Sequence, residues 1–158
     1  MSPSILPTST ILCPVDFSPA SDEAVRVAAE EAERRDTNLD LLHVWTPQPA
    51  FLTDSMGAAI EAPPPLDALR EQLDAVRPPL SPDRVRRHVA VGSAVETIVE
   101  MSEDLHAELI VMGTHARHGL ARWILGSVVE PVLRSAPCPV LVCRGPHRAA
   151  LRSTAGPA

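Results

Sequence analysis

Residues 10–35 read TILCPVDFSPASDEAVRVAAEEAERR, and this stretch decides the fold. It opens with an apolar run over residues 10–15 that lacks helical spacing and is typical of a strand buried on both faces. Ser18 is a good N-cap residue and Pro19 suits the first helical position, so the spacing predicts an amphipathic helix from there to about Arg35. A buried strand followed by such a helix is the repeating unit of a parallel α/β sheet.

The same alternation of strands and helices continues along the chain. Further strands are predicted at residues 39–45, 84–91, 108–112 and 139–143. Further helices are predicted at residues 66–76, after Gly92, and from a capping box made by Ser127 and Glu130, which places Pro131 at the fourth helical position. Arg and Val alternate in the strand at 84–91, which indicates a partly wet face at a sheet edge. Right-handed crossovers then give an α/β fold, a five-stranded parallel sheet with helices on both faces.

Two segments lie outside this alternation. Residues 46–64 are rich in Pro and Ala without a clear period, and they predict a long loop of the kind that often has a function. Residues 145–158 form a polar Gly/Pro/Ala stretch, which we expect to be a disordered tail. Residues 1–144 are therefore expected to form one domain.

The composition excludes several functions. All 14 basic residues are Arg, Tyr is absent, aromatic residues make up 3% of the chain and the formal net charge is −6. A chain without Lys has no Walker-type phosphate lysine and no Schiff-base lysine, so a bound phosphate must be held by backbone N–H groups, hydroxyls or Arg. An acidic chain with few aromatic residues is also a poor candidate for binding nucleic acid.

The cysteines and the hydropathy bear on localisation. Cys13, Cys138 and Cys143 show no C-x-x-C spacing, and their odd number fits reduced thiols better than a disulfide framework. The N-terminus has no basic segment before a long apolar run, and no apolar run approaches the roughly 20 residues of a membrane helix. We therefore expect a cytoplasmic protein that binds no membrane.

Topology predicts where a ligand would bind. In a doubly wound sheet the crevice lies at the carboxyl ends of the strands, where the strand order reverses. For the order 3-2-1-4-5 this is between the first and fourth strands, and the residues that leave these strands are Asp16 and Gly113. Asp16 is therefore a candidate ligand-binding carboxylate. The alternative is that it only caps the turn after the strand.

A glycine-rich stretch, GTHARHGLARWILGS, spans residues 113–127 between the fourth strand and the last helix. Backbone N–H groups of such a loop, with the positive end of a helix dipole, suit an anion such as a phosphate. Arg117 and Arg122 flank the loop and are either candidate phosphate partners or solvated surface side chains. The alternative is that the glycines only make turns and Ser127 only caps the helix.

Metal and catalytic sites are not predicted. The pair His115-x-x-His118 lacks an identified third ligand. His43 lies inside an apolar strand, where a core or strand-end residue is expected rather than a catalyst. Cys13 is expected to be buried and inert. We assign no catalytic residue, because no general base is positioned by any motif.

Four segments together resemble the universal stress protein family over nearly the whole chain: PVDFSPAS (14–21), LLHVW (41–45), LIVMGTH (109–115) and LGSVVEPVLRSAPCPVLVCR (125–144). The resemblance implies a flavodoxin-like fold with the strand order 3-2-1-4-5, usually in a homodimer. It also implies binding of ATP, with or without Mg²⁺, through a G-x-x-G-x9-G-[ST] signature.

One position departs from that signature. The chain has Gly113, then Ala116 where the signature has its second glycine, then Gly126 and Ser127. Ala116 costs about 1 kcal/mol if its backbone needs a positive φ, and little if φ is negative. Its methyl group would intrude if a phosphate must approach closely.

The resemblance also implies roles for individual residues. Asp16 would hold a ribose hydroxyl or an adenine edge. The base would be walled by Pro14, Val15, Val44 and Met112. The phosphates would be cradled by Gly113, Gly126, Ser127 and Val128.

The last strand is expected at an open edge of the sheet and contains Val140, Leu141, Val142 and Cys143. A flat apolar edge invites pairing with another chain. The resemblance points the same way, so we expect a homodimer built through this strand.

Two functions stay open. The first is an ATP-binding stress-response regulator that signals as a homodimer to a regulatory protein partner, and that is no enzyme beyond slow incidental ATP hydrolysis. The second is a dimeric protein-interaction module that has lost nucleotide binding because of Ala116. A flavin carrier on the same fold is disfavoured, because the DFSPAS loop is not a Gly/Thr-rich cradle and aromatic residues are scarce.

Overall fold

The structure is a computed structural model that describes residues 9–47, 64–114 and 126–145. Within these ranges five strands alternate with four helices, and a 3₁₀ turn spans Pro82–Arg84. The strands are β1 (Thr10–Pro14), β2 (Asn38–Trp45), β3 (Val85–Val91), β4 (Ala107–Thr114) and β5 (Val140–Arg144). The helices are α1 (Pro19–Arg35), α2 (Leu66–Asp74), α3 (Ala94–Asp104) and α4 (Val129–Ser135).

The strands form one parallel sheet in the order β3-β2-β1-β4-β5, as predicted. At its centre Leu12 pairs with Asp40 of β2 on one side and with Ile110 of β4 on the other. β3 and β5 are the two edges, which confirms the edge positions predicted for both. The predicted strand ends differ from the observed ones by at most two residues.

Helices cover both faces of the sheet, as predicted. On one face α1 packs through fully buried small residues, among them Ala24, Ala28 and Ala32, and α2 contributes Leu73. On the other face α3 contributes Ile98 and α4 contributes Val132. The alanine stripe follows the helical period and lets α1 lie close to the sheet. Within the part of the chain described here, no helix has both the length and the apolar character needed to cross a membrane.

One predicted helix cap is confirmed and the other is wrong. Ser18 accepts a hydrogen bond from the Ser21 N–H (3.2 Å) and Pro19 opens α1. By contrast, α4 begins one residue later than predicted, its N-cap is Val128 rather than Ser127, and Pro131 is its third residue. The Glu130 N–H, which a capping box would bond to the Ser127 hydroxyl, instead donates to the Gly126 carbonyl (3.3 Å).

Helix α2 ends at Asp74, two residues earlier than predicted. The chain tightens there, because the Val76 N–H donates to the Leu73 carbonyl at 3.1 Å. Arg87 of β3 donates to the Leu73 carbonyl at 3.2 Å and to the Val76 carbonyl at 2.8 Å. Helix C-termini carry unpaired carbonyls and partial negative charge, which a guanidinium satisfies well.

The partly wet face predicted for β3 is present at Arg86, whose side chain is 47% exposed, whereas Arg87 is largely covered. Arg84 likewise donates to the carbonyls of Ala32 (2.8 Å) and Thr37 (2.7 Å) at the end of α1. Its side chain is only 20% exposed. In this chain Arg holds together helix ends and sheet edge.

A carboxylate is buried inside the sheet layer at Asp40, whose side chain is completely inaccessible. It accepts hydrogen bonds from the Thr10 hydroxyl, from Arg86 (2.7 Å) and from His88 Nε2 (2.6 Å). Burial raises the pKa of Asp40, but the three hydrogen bonds outweigh burial and hold the pKa below its ordinary value. The apolar run LDLLHVW gave no signal for this cluster.

Candidate functional site

A crevice opens at the carboxyl end of the sheet, where β1 and β4 lie side by side. It is bordered by the ends of three strands, the start of α3 and the residues that lead into α4. Nine of the ten predicted site residues line it: Pro14, Val15, Asp16, Val44, Met112, Gly113, Gly126, Ser127 and Val128. The tenth, Ala116, lies outside the described residues, as do Arg117, Arg122, His115 and His118.

Sequence reasoning missed several residues that line the same crevice: Ser21, Leu42, His43, Ala94, Ile98 and Val129. His43 stood in a quoted motif but was interpreted as a strand residue. Ala94 and Ile98 belong to α3, which reaches the crevice only through tertiary packing. Nothing in their local sequence marks them as site residues.

Asp16 lies where β1 leaves the sheet, and it lines the crevice. Its Oδ1 accepts hydrogen bonds from the Ser18 N–H (3.0 Å) and the Ser18 hydroxyl (2.5 Å). The Ser18 oxygen in turn accepts from the Ser21 N–H. Asp16 therefore supports the start of α1 and lines the crevice at once, so the two interpretations of Asp16 are compatible.

The turn around Asp16 is anchored to β2 on both sides of it. The Val15 N–H donates to the Leu42 carbonyl (2.8 Å), and the Val15 carbonyl lies 2.7 Å from His43 Nδ1. Phe17 has a φ of +61°, and its ring centroid lies 4.6 Å from that of His43.

The glycine at position 113 has a packing reason that the motif does not reveal. A Cβ on Gly113 would lie 2.4 Å from the backbone C and O of Ala20 and 2.7 Å from the Ser21 nitrogen. These are backbone atoms at the start of α1, and they cannot move aside cheaply. Gly113 is therefore required by the close approach of α1 to β4, whatever ligand binds.

Gly126 is different. A Cβ built there would meet no atom within 4 Å, and its φ does not lie in the left-handed region. Packing among the described residues therefore does not require a glycine at 126. Ser127, which follows, is exposed and makes no cap hydrogen bond to α4. The Gly126–Val128 segment thus lines the crevice, and no packing contact among the described residues explains why position 126 lacks a side chain.

The thiols are poorly suited to chemistry. Cys13 is fully buried, and burial, with a smaller contribution from Cys143, raises the pKa of its thiol far above the ordinary range. Burial also raises the pKa values of Cys138 and Cys143. Such thiols hold little nucleophilic thiolate at neutral pH. Among the residues that the structure describes, no group of three or more His, Cys, Asp or Glu side chains is placed to hold a metal ion.

The sheet order and the crevice at its switch point define the class: a doubly wound α/β protein with a crevice at the strand ends. Within that class, the family model described as "Universal stress protein family" matches residues 7–144. The chain belongs to the universal stress protein family.

Related sequences and solved structures support this family assignment. Universal stress protein A homolog 1 of Coxiella burnetii is 33% identical over 139 residues, covering 83% of this chain and 92% of that protein. The chain spans about half the length of Rv2623 of Mycobacterium tuberculosis, a universal stress protein that is 35% identical over 149 residues, 84% of this chain and 46% of that one.

Among solved structures, the universal stress protein UspA from Lactobacillus plantarum has a TM-score of 0.64 and 28% identity, covering 87% of this chain and 98% of that one. A universal stress protein from Archaeoglobus fulgidus in complex with dAMP has a TM-score of 0.59 and 21% identity, covering 86% and 97%.

Proposed function

We propose that this member of the universal stress protein family is a stress-response regulator that binds an adenine nucleotide, ATP first among them, in the crevice between β1 and β4. One observation carries the proposal: nine residues from four separate segments of the chain converge on this single crevice. They include the candidate sugar-binding carboxylate Asp16 and the backbone of Gly126–Val128.

The chemistry of the lining suits such a ligand. Pro14, Val15, Val44 and Met112 offer apolar surface to a flat base. Asp16 offers a carboxylate to hydroxyl groups, and charge-assisted hydrogen bonds of this kind are strong. Backbone N–H groups from Gly126 to Val128 and the exposed Ser127 hydroxyl are suited to bind phosphate oxygens. The chain contains no Lys that could bind them instead.

The volume of the crevice suggests which part of the nucleotide it encloses. As bounded by the described residues, it encloses about 170 Å³. Pockets that bury a whole drug-sized ligand enclose roughly 300–1,000 Å³. We therefore expect the base and sugar to be enclosed and the phosphates to lie at the mouth, near Gly126. Mg²⁺ would accompany the phosphates there rather than bind to carboxylates of the protein.

The Archaeoglobus fulgidus structure was solved with dAMP, and at 21% identity it shares with this chain the fold alone. The proposal for this chain therefore rests on its own crevice and on the segments that it has in common with the family. A regulatory rather than catalytic role fits the same residues, because the carboxylate that lines the crevice, Asp16, is engaged by the N–H and hydroxyl of Ser18 in the cap of α1.

The proposed regulator acts as a homodimer through β5, in the cytoplasm, on a protein partner. β5 is an edge strand, and Leu141 on it is 39% exposed. An exposed apolar side chain on an unpaired parallel edge favours pairing with a second copy. Light scattering at micromolar concentration tests this part: a dimer mass is expected, and a monomer would contradict it.

Isothermal titration calorimetry with ATP, with and without Mg²⁺, tests the nucleotide site. Wild type is expected to bind about one ATP per chain, and Asp16→Asn is expected to bind at least about tenfold more weakly because a charged hydrogen bond is lost. Asp104→Asn makes the same change at the far end of α3 and is expected to bind as wild type. Absence of heat at millimolar ATP would contradict the proposal.

A second candidate function is favoured by one observation, Ala116 in place of the signature's second glycine. On this candidate the protein is a dimeric interaction module without a nucleotide. Ala116→Gly separates the two functions. If wild type and Ala116→Gly bind ATP alike, the departure is harmless. If only the variant binds ATP, wild type is the interaction module.

A further inference from the structure

Asp16 is held in a short turn, and both of its neighbours in sequence contact the same side chain. Val15 precedes it and Phe17 follows it, and each contacts His43 of β2. His43 itself lines the crevice. The position of the Asp16 carboxylate therefore depends on two contacts that one imidazole ring makes.

The first contact is a hydrogen bond of 2.7 Å between His43 Nδ1 and the Val15 carbonyl. A carbonyl oxygen only accepts, so Nδ1 must carry the hydrogen. The Val15 N–H is bonded to the Leu42 carbonyl at 2.8 Å. With both backbone groups of Val15 paired to β2, the chain is fixed up to the residue before Asp16.

The second contact is between rings. Phe17 has a φ of +61°, in the left-handed region that residues with a Cβ rarely adopt. Its ring lies 4.6 Å from the His43 ring at an interplanar angle of 33°. Such a ring pair is favourable and opposes the strain of the left-handed backbone. Phe17 also packs against the core on the α1 side, which gives the turn a further contact.

From these contacts we infer that His43 is a positioning residue for the ligand site: it fixes the Val15–Phe17 turn and so aims the Asp16 carboxylate into the crevice. The inference rests on the proposed nucleotide site and adds to it a residue that acts through Asp16. His43 is not assigned a catalytic role.

A double-mutant cycle on ATP binding tests this positioning role. His43→Leu removes the donor and the ring contact and keeps an apolar side chain of similar reach. His43→Asn restores a donor near the Nδ1 position. His106→Asn is the matched control, because His106 is exposed and lies between α3 and β4.

We expect His43→Leu to bind ATP about tenfold more weakly than wild type. His43→Asn is expected to bind only about threefold more weakly than wild type, since one hydrogen bond is restored. His106→Asn is expected to bind as wild type. With Asp16→Asn as background, His43→Leu is expected to change the affinity by no more than about twofold, because His43 acts through Asp16. Fully additive losses would overturn the inference, as would wild-type affinity in His43→Leu.

Two further measurements keep the inference testable if His43→Leu does not fold. Phe17→Leu removes the ring contact with His43 and keeps an apolar side chain against the core. It is expected to weaken ATP binding by about threefold, whereas unchanged binding would count against the turn's role. Long-range ¹H–¹⁵N correlation spectra of wild type are expected to show His43 with Nδ1 protonated. An Nε2–H tautomer would overturn the inference. If wild type binds no nucleotide, the proposed function itself fails, which is a different result from wild-type binding that is insensitive to His43.

Discussion

Adding one methyl group at Gly113 tests whether this glycine serves packing or a phosphate. The Cβ of Gly113→Ala would lie 2.4 Å from the Ala20 carbonyl carbon and oxygen. An ordinary contact begins near 3.4 Å, so α1 and β4 would have to separate locally by about 1 Å. Ala20 lies in the first turn of α1, two residues after the Ser18 cap, and it is buried.

The magnitude follows from the atoms involved. The clash is with backbone, which cannot change rotamer, and separating α1 from β4 loosens the alanine-lined contact behind it. Overpacking of a well-packed interior costs typically 1–3 kcal/mol, and we expect about 2 kcal/mol for Gly113→Ala. For a chain of this size that lowers Tm by roughly 4–8 °C.

Thermal and urea unfolding of the nucleotide-free protein measure the effect. Gly126→Ala is the matched control, because its Cβ meets no atom within 4 Å, and its Tm is expected to stay within about 2 °C of wild type. ATP binding gives a second readout for this control: Gly126→Ala is expected to weaken ATP binding although it leaves the stability of the fold unchanged. An unchanged Tm in Gly113→Ala would refute the packing explanation.

Three other perturbations have definite expected outcomes. Asp40→Asn should lower the free energy of unfolding by about 2 kcal/mol at pH 7, measured by urea denaturation, because a buried network loses its charge. Since the folded-state pKa of Asp40 is depressed, its contribution to stability is present above about pH 4 and is lost as the pH falls below that. The free energies of unfolding of wild type and variant should therefore converge in acid, and a difference that stays constant with pH would contradict this. Arg87→Met keeps the apolar stem but removes the hydrogen bonds to the Leu73 and Val76 carbonyls, so the free energy of unfolding is expected to fall by about 1 kcal/mol. An unchanged urea midpoint would show that these hydrogen bonds do not stabilise the fold. Cys13 should resist thiol reagents at pH 8 in the native state and react once guanidinium chloride unfolds the chain, with mass spectrometry identifying the site; rapid native labelling would show that it is accessible.

Local signals were sufficient for most of the fold. Ser18 and Pro19 mark the start of α1 because capping and proline geometry depend on neighbours in sequence. The edge position of β3 followed from its alternating residues. Ser127 misled because its pattern matches a capping box, whereas the Gly126 carbonyl takes the Glu130 N–H in its place. The competing backbone acceptor is set by how the chain enters α4, which a four-residue pattern does not encode.

The candidate site was predicted where it lies at strand ends, and missed where it depends on distant contacts. Topology alone placed Asp16 and Gly113 at the switch point. Ile98 reaches the crevice from α3, and no local pattern distinguishes it from an ordinary core residue. Asp40 meets its partners Arg86 and His88 across 46 and 48 residues of chain, so burial of a charge inside an apolar run had no signal in the sequence.

The central claim is that an adenine nucleotide binds in the crevice between β1 and β4. The most direct measurement is a series of ¹H–¹⁵N correlation spectra of wild type recorded with increasing ATP. Saturable shifts are expected for the amides of Val15, Asp16, Gly113 and the Gly126–Val128 segment, and none for β3 at the far edge of the sheet. An absence of saturable shifts at millimolar ATP, or shifts confined to residues away from the crevice, would contradict the account.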